Sequence, residues 1–164
     1  MLAYIAKWAE NKEALNPIEL EKLQKDGLDV IQDIYRYAKS GFESIPEDDF
    51  NRFKWAGVYQ QRPKEGHFMM RVRIPTGILT TAQAYALAEI SQLYGRDLVD
   101  VTTRQAIQFH WLTIENIPDI FKRLENVGLA SYEACGDCPR TIVGNPLTGI
   151  DPNELMDTSA LVRE

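Results

Sequence analysis

The sequence predicts an α+β domain with the element order β-α-β-β-α, and three observations support this class. Apolar and polar residues alternate with the period of a β-strand in residues 68–74 and again in residues 99–112. A helix signal follows each stretch, at residues 80–94 and 116–127. The 164 residues are 45% hydrophobic, which is enough apolar material to bury one core.

The first fifty residues are predicted to be a helical extension that precedes this domain. Residues 1–14 have the apolar spacing of a short helix. A second helix is predicted to begin after Asn16, which can act as the N-cap, with Pro17 at the first helical position. It is predicted to end near Gly41, and Gly27 leaves open whether it is one helix or two.

Residues 44–49, SIPEDD, are predicted to form a turn or linker between the extension and the sheet. The next stretch, FKWAGVYQQR over residues 53–62, combines aromatic and basic side chains around a glycine, and Trp55 is predicted to be a core aromatic. In residues 68–74, FMMRVRI, Arg71 and Arg73 alternate with apolar residues, so this stretch is predicted to be the first strand of the sheet.

Two short strands that meet at Arg104-Gln105 are predicted within residues 99–112, VDVTTRQAIQFHWL. Because successive side chains of a strand point to opposite faces, one face of the sheet is predicted to be apolar. From these two strands it carries Val99, Val101, Ile107, Phe109 and Trp111. The opposite face, which we call the polar face, is predicted to carry Arg71, Arg73, Asp100, Thr102, Arg104, Gln108 and His110.

Two helices complete the predicted domain. Thr80 and Gln83 form a capping-box pattern at the start of one, and Asn116 opens the other, which is predicted to end at Gly128. Two helices over one face of an antiparallel sheet make most of a ferredoxin-like unit. No fourth strand is signalled before Cys135, so another segment is expected to pair with the open edge.

The polar face is predicted to bind an anion. It contains a single acid, Asp100, although the chain as a whole has 24 acidic and 18 basic residues and a net charge of −6. Arginine recognises carboxylates and phosphates through paired hydrogen bonds, so a segregated cluster of arginines favours an anionic ligand. The alternative is an ordinary solvated face, which is common in antiparallel sheets.

Residues 129–164 are predicted to open a further domain, because they contain few periodic apolar residues and several prolines and glycines. Cys135 and Cys138 form a C-x-x-C pair, which supplies only two metal ligands, and no metal site is predicted. A small zinc or thiol protein built around this pair is kept as an alternative.

Composition and charge also argue against nucleic acids and membranes as partners. An isoelectric point near 5.0 argues against nucleic-acid binding, so a ferredoxin-like module that reads single-stranded RNA is a weaker alternative. The sequence has no apolar run of about 18 residues and no signal-peptide pattern, so no membrane association is predicted. Two cysteines do not make a disulfide framework, and a cytoplasmic protein is expected.

Four linked motifs carry a resemblance to a known family. FMMRVRIPTG, DVTTRQAIQFHW, CGDCPR and VGNPLTGID, in this order, resemble the N-terminal part of the ferredoxin-dependent nitrite and sulfite reductases, the sirohaem and [4Fe-4S] family. The resemblance implies a helical extension over residues 1–50 and a ferredoxin-like half-domain over residues 51–128. It also implies that residues 129–164 begin the sirohaem and [4Fe-4S] domain.

The resemblance further implies roles for individual residues. Arg71 and Arg140 match the catalytic arginines of the anion pocket. The positions that match cofactor-binding residues, as contacts of sirohaem, are Arg73, Thr102, Thr103, Arg104, Gln108 and His110. The family's cluster-binding cysteines lie downstream of this chain, so the chain is expected to be an inactive fragment that needs the remainder of the enzyme.

The implied reaction is the six-electron reduction of nitrite with reduced ferredoxin as the donor, and sulfite is the alternative substrate. VGNPLTGIDP resembles the nitrite-reducing members, whereas CGDCPR together with Tyr59 resembles bacterial sulfite-reducing members. Some of those place a tyrosine beside a cysteine. Here Tyr59 and Cys135 are predicted to be a buried tyrosine and an inert thiol and not a cross-linked pair.

Overall fold

The computed structural model describes residues 12–62, 66–134, 138 and 140–163. A four-stranded antiparallel sheet lies at the centre of this part of the chain. Its strands are β1 (Val58–Gln60), β2 (Phe68–Arg73), β3 (Val99–Val101) and β4 (Ala106–Leu112). They lie side by side in the order β1-β2-β4-β3, so β2 and β4 form the middle of the sheet.

The described helices are α1 (Pro17–Gln24), α2 (Val30–Ser40), α3 (Glu47–Arg52), α4 (Thr81–Tyr94), α5 (Ile117–Glu125) and α6 (Ser159–Arg163). Asn16 caps α1 by accepting from the Glu19 amide at 3.0 Å. Thr80 and Gln83 form the predicted capping box at the start of α4. None of the described helices is long and apolar enough to cross a membrane.

One core lies between the sheet and the helices. In β2, Met70 and Val72 are fully buried. In β4, Phe109 is fully buried and Ile107 is 9% exposed. The apolar residues of α2, α4 and α5 pack into the same cluster, with Ile34, Ile90 and Ile120 at its centre. The predicted α+β ferredoxin-like half-domain with a helical extension is therefore confirmed.

The segment that pairs with the open edge of the predicted sheet is β1, an upstream strand that was not predicted from the sequence. β1 pairs with β2 in the register Val58↔Met70 and Gln60↔Phe68. With three residues, β1 is too short to show an alternation that could be read from the sequence. The sheet therefore has one strand more than the three that were predicted.

Residues 129–134, which we call the returning segment, lie against the same edge of β2 as β1, beyond the end of β1. The Arg73 amide donates to the Ala130 carbonyl at 2.9 Å, and the Ser131 hydroxyl donates to the Ala56 carbonyl at 2.8 Å. Gly57 allows this approach, since a Cβ there would lie 2.0 Å from the Ser131 carbonyl oxygen, and its φ is +77°. The domain boundary after residue 128 stays a prediction.

Two expectations for the extension need comment. The linker predicted at residues 44–49 is wrong in its second half, because α3 begins at Glu47. The first turn of α3 contains three acidic residues, which stabilise the helix because its N-terminal end carries a partial positive charge. The helix predicted after Asn16 is broken near Gly27, which lies so close to Trp55 that a Cβ would be 2.5 Å from the ring. Residues 1–11 of the predicted first helix lie outside the described residues.

Two residues predicted on the apolar face are not in the core. Val101, at the end of edge strand β3, is 80% exposed. Trp111 has a φ of +64°, and the pairing of β2 with β4 shifts register beside it, so Leu112 takes the buried position. The Trp111 amide donates to the Gln61 side chain at 2.8 Å, which holds this irregularity in place.

Candidate functional site

The sheet register brings the predicted polar face together. Arg71 of β2 pairs with Gln108 of β4, and Gln108 pairs with Asp100 of β3. Arg71, Arg73, Gln108 and His110 are all half-buried, and buried apolar residues flank the first three along their strands. The alternation in the sequence therefore predicted which side chains share this face.

Arg71 lies in the middle of the polar face and is held by uncharged groups. With the Gln108 amide oriented towards it, the Gln108 oxygen accepts from Arg71 Nη2 at 2.6 Å and from Nε at 2.9 Å. Arg71 Nη1 donates to the Ala134 carbonyl at 3.4 Å, and the guanidinium lies 5.5 Å from the centre of the Tyr59 ring. These contacts orient the guanidinium without neutralising its charge.

Arg73 lies towards the end of β2, beside the returning segment. Its guanidinium is 4.6 Å from the centre of the Tyr132 ring, and Nη1 is 3.8 Å from Glu133 Oε2. Neither residue was singled out in the sequence, because their position depends on the return of the chain to the edge of β2. Glu133 is thus a second acid beside the arginines, in addition to Asp100.

The tight turn at residues 102–105 connects β3 and β4. The Thr102 hydroxyl accepts from the amides of Arg104, at 3.3 Å, and Ala106, at 3.2 Å, so this oxygen closes the turn. Thr103 and Arg104 are exposed at its tip. Arg104 Nη2 donates to the Thr141 carbonyl at 3.2 Å, in a contact at the surface.

The acid predicted on this face, Asp100, is paired with His110. His110 Nε2 lies 3.0 Å from Asp100 Oδ2, and the Asp100 side chain is 56% exposed while that of His110 is 23% exposed. The carboxylate therefore lies at the edge of the face, and the imidazole is turned towards it.

Arg140 lies in the tail, next to the contact that the tail makes with the turn at residues 102–105. It directly precedes Thr141, whose carbonyl accepts from Arg104, and its side chain is half-buried. Within the described residues, the buried Nε of Arg140 has no acceptor. A buried N–H without a partner is costly, which makes this atom a candidate for binding an anion.

The other chemical hypotheses find little support in the described part of the chain. No three His, Cys, Asp or Glu side chains there come together as a metal site. Cys135 lies outside the described residues, so its predicted relation to Tyr59 stays a prediction. Tyr59 itself is half-buried beside Arg71.

Comparison with known proteins gives the class of this domain. Residues 59–127 match the family model described as the nitrite/sulfite reductase ferredoxin-like half domain. This range contains the four strands except for the first residue of β1, together with α4 and α5. The polar face thus belongs to a domain type shared by nitrite and sulfite reductases.

Longer similarities extend over nearly the whole chain. It is 44% identical to a ferredoxin-nitrite reductase of Leptolyngbya laminosa over 92% of its length, and 40% identical to a sulfite reductase [ferredoxin] of Mycobacterium tuberculosis over 96%. The structure of the Mycobacterium tuberculosis NirA protein superimposes with a TM-score of 0.84 at 38% identity and covers 95% of the chain.

The chain is therefore similar to the ferredoxin-dependent nitrite and sulfite reductases, which confirms the resemblance carried by its four motifs. It spans 30% of the length of the Leptolyngbya relative and 32% of the length of the Mycobacterium relative and of NirA.

Proposed function

We propose that this chain supplies the anion-binding and cofactor-facing sheet of a ferredoxin-dependent nitrite reductase, an oxidoreductase that reduces nitrite to ammonia. The observation that supports this most directly is the environment of Arg71, which is oriented by Gln108 and Ala134 and keeps its charge. Relatives named ferredoxin-nitrite reductases are similar over nearly the whole chain, which supports nitrite as the anion and reduced ferredoxin as the donor.

The family resemblance implies sirohaem and a [4Fe-4S] cluster, and the donors of the polar face fit the many carboxylates of sirohaem. Arginine N–H groups suit carboxylate oxygens, because they form paired hydrogen bonds with them. When bound, sirohaem supplies the electron transfer to the substrate. The residues that would hold it are Arg73, Thr102, Thr103, Arg104, Gln108 and His110. The cluster ligands are expected outside this chain.

In this proposal Arg71 and Arg140 bind the substrate anion. Their guanidinium groups offset its charge, and the N–H groups of Arg71 stabilise the negative charge that grows on oxygen as each N–O bond is cleaved. The oxygens leave as water and need protons from positioned donors. Gln108 orients Arg71, because its amide oxygen accepts two of the guanidinium N–H groups.

Sulfite is the second candidate substrate. Relatives named sulfite reductases match 96% of the chain at 40 to 42% identity, so similarity favours neither anion strongly. Comparing kcat/KM for the two anions in the complete enzyme, with reduced ferredoxin, decides between them, since specificity is that ratio. A clear preference for sulfite would replace nitrite in this proposal.

Replacing Arg71 tests the anion role. In the complete enzyme, Arg71→Ala is expected to lower turnover with nitrite at least about tenfold, which corresponds to about 1.4 kcal/mol of transition-state stabilisation. Arg36→Ala on α2 is the matched control, because Arg36 is exposed and lies outside the polar face. Normal kinetics of the Arg71 variant with its full sirohaem content would refute the assignment.

Replacing Arg104 tests the cofactor role. The Arg104→Ala enzyme is expected to purify with reduced sirohaem absorbance per protein, because a charged contact to a carboxylate is lost. The same Arg36 variant serves as the control. Full absorbance in the Arg104 variant would remove this residue from the cofactor site.

A further inference from the structure

The turn at residues 102–105 is joined to the tail by a residue that plays no part in the proposed chemistry. Gln105 Nε2 donates to the Gly144 carbonyl at 3.0 Å, and the Gly144 amide donates to Gln105 Oε1 at 2.9 Å. A single side-chain amide thus satisfies both backbone groups of one residue, as a neighbouring strand would. The backbone of Gln105 has a φ of +53°, which is uncommon for a residue other than glycine.

Two glycines make this contact sterically accessible. A Cβ on Gly77 would lie 3.3 Å from Cβ and Cγ of Gln105, and the φ of Gly77 is +72°. A Cβ on Gly144 would lie 3.4 Å from Cγ2 of Thr76. Both distances are at or below ordinary van der Waals contact, so the tail packs closely on the segment that follows β2.

The same turn makes a second contact with the tail, from Arg104 to the Thr141 carbonyl. Residues 141 and 144 are therefore both attached to the turn, and Arg140 directly precedes the first of them. We propose that Gln105 is a positioning residue that fixes Arg140 beside the polar face. This inference rests on the proposed role of Arg140 in binding the substrate anion.

The chemistry of the contact explains why an amide is needed. Glutamate would keep the acceptor for the Gly144 amide but would lose the donor to the Gly144 carbonyl. Methionine has a similar length and offers neither strong group. Gln105→Glu should therefore retain part of the attachment, and Gln105→Met should lose it.

Hydrogen–deuterium exchange of the complete protein tests the attachment without reference to activity. For Gln105→Met, amide exchange in peptides covering residues 140–148 is expected to rise about tenfold, with exchange of β2 and β4 unchanged. Gln105→Glu should give an intermediate rate. Gly77→Ala should shift exchange in the same direction, since its Cβ would lie 3.3 Å from Cβ and Cγ of Gln105 and would push on a side chain that keeps its amide group. Gln92→Met, on the exposed side of α4, is the matched control.

Steady-state kinetics with nitrite then test the positioning role. Gln105→Met should raise KM by about fivefold and change kcat by less than about twofold at full sirohaem content, because binding of the anion is weakened. Gln105→Glu should partly restore KM. Arg140→Lys is assayed in parallel and should also raise KM.

The outcomes separate the inference from the proposed function. Unchanged exchange in Gln105→Met overturns the attachment. Faster exchange with an unchanged KM, while Arg140→Lys raises KM, overturns the positioning role and leaves the proposed function standing. An unchanged KM in Arg140→Lys removes Arg140 from the proposed anion site, and the positioning role is then overturned together with it.

Discussion

Arginines occur in two regions of this molecule under opposite conditions. Arg52 of α3 is 8% exposed and donates to the Asp49 carboxylate at 2.7 Å, and Asp49 also accepts from the Tyr37 hydroxyl. Arg71 of β2 is half-buried and is held by the Gln108 amide and a backbone carbonyl. Helix α3 therefore contains an arginine whose charge is neutralised, whereas Arg71 on the polar face is oriented and keeps its charge available.

This difference indicates how a structural arginine can be distinguished from a ligand-binding one. A buried pair such as Arg52 and Asp49 contributes to stability only as long as both partners are present. An arginine held by neutral acceptors has its geometry fixed in advance, which lowers the entropic cost of binding an anion. Variants that remove one partner from each region test the distinction.

The largest expected effect follows from removing Asp49. Asp49→Ala leaves the buried Arg52 without its carboxylate, so the free energy of unfolding should fall by about 3 kcal/mol. Urea denaturation of the chain measures this loss. Asp48→Ala, its exposed neighbour in the same helix, is the control. A loss below about 1 kcal/mol would show that the pair adds little to stability.

A smaller loss is expected from removing the Tyr37 hydroxyl. Tyr37→Phe deletes one hydrogen bond to Asp49 and keeps the ring packed near Phe53, so the expected destabilisation is about 1.5 kcal/mol. Tyr35→Phe, which alters an exposed tyrosine of the same helix, provides the comparison. Equal effects of the two substitutions in thermal unfolding would contradict this prediction.

The acid dependence of stability should report the same network. Burial acts to raise the pKa of Asp49, but hydrogen bonds from Tyr37 and Arg52 outweigh it and hold the pKa below its ordinary value. The unfolded chain therefore takes up this proton at higher pH than the folded chain, and stability falls as the pH decreases below about 4. Asp49→Asn should flatten that part of the profile, measured by urea midpoints at successive pH values. An unchanged slope would mean that other carboxylates cause it.

The smallest expected effect on stability is that of Arg71→Ala. Because the partners of Arg71 are neutral and half-buried, its loss should change the free energy of unfolding by less than about 1 kcal/mol. Urea denaturation of Arg71→Ala, measured in parallel with Asp49→Ala, checks this prediction. A loss comparable with that of Asp49→Ala would remove the distinction between the two regions and would make Arg71 a structural residue.

Much of this arrangement could be predicted because its signals are local. The alternation of Met70, Arg71, Val72 and Arg73 determined the two faces of β2, and the capping box at Thr80 located the start of α4. For the polar face, the same alternation found Arg71, Gln108 and His110, whereas Arg140 came only from the family resemblance.

The remaining features depend on contacts between distant parts of the chain. Strand β1 is defined by its pairing with β2, and Glu133 lies beside Arg73 only because the chain returns to that edge. Trp111 does not lie on the apolar face, because the register of β2 and β4 shifts beside it, and alternation in the sequence does not show such a shift. The bonds of Gln105 to Gly144 join residues 39 positions apart, and no local pattern signals them.

The return of residues 129–134 to the edge of β2 also has a consequence for folding kinetics. The bond from Ser131 to the Ala56 carbonyl joins residues 75 positions apart, so a long loop has to close before this contact can form. Formation of this contact is expected to follow the transition state. Ser131→Ala should therefore accelerate unfolding and leave the folding rate unchanged in stopped-flow measurements, and slower folding would place the contact in the folding nucleus.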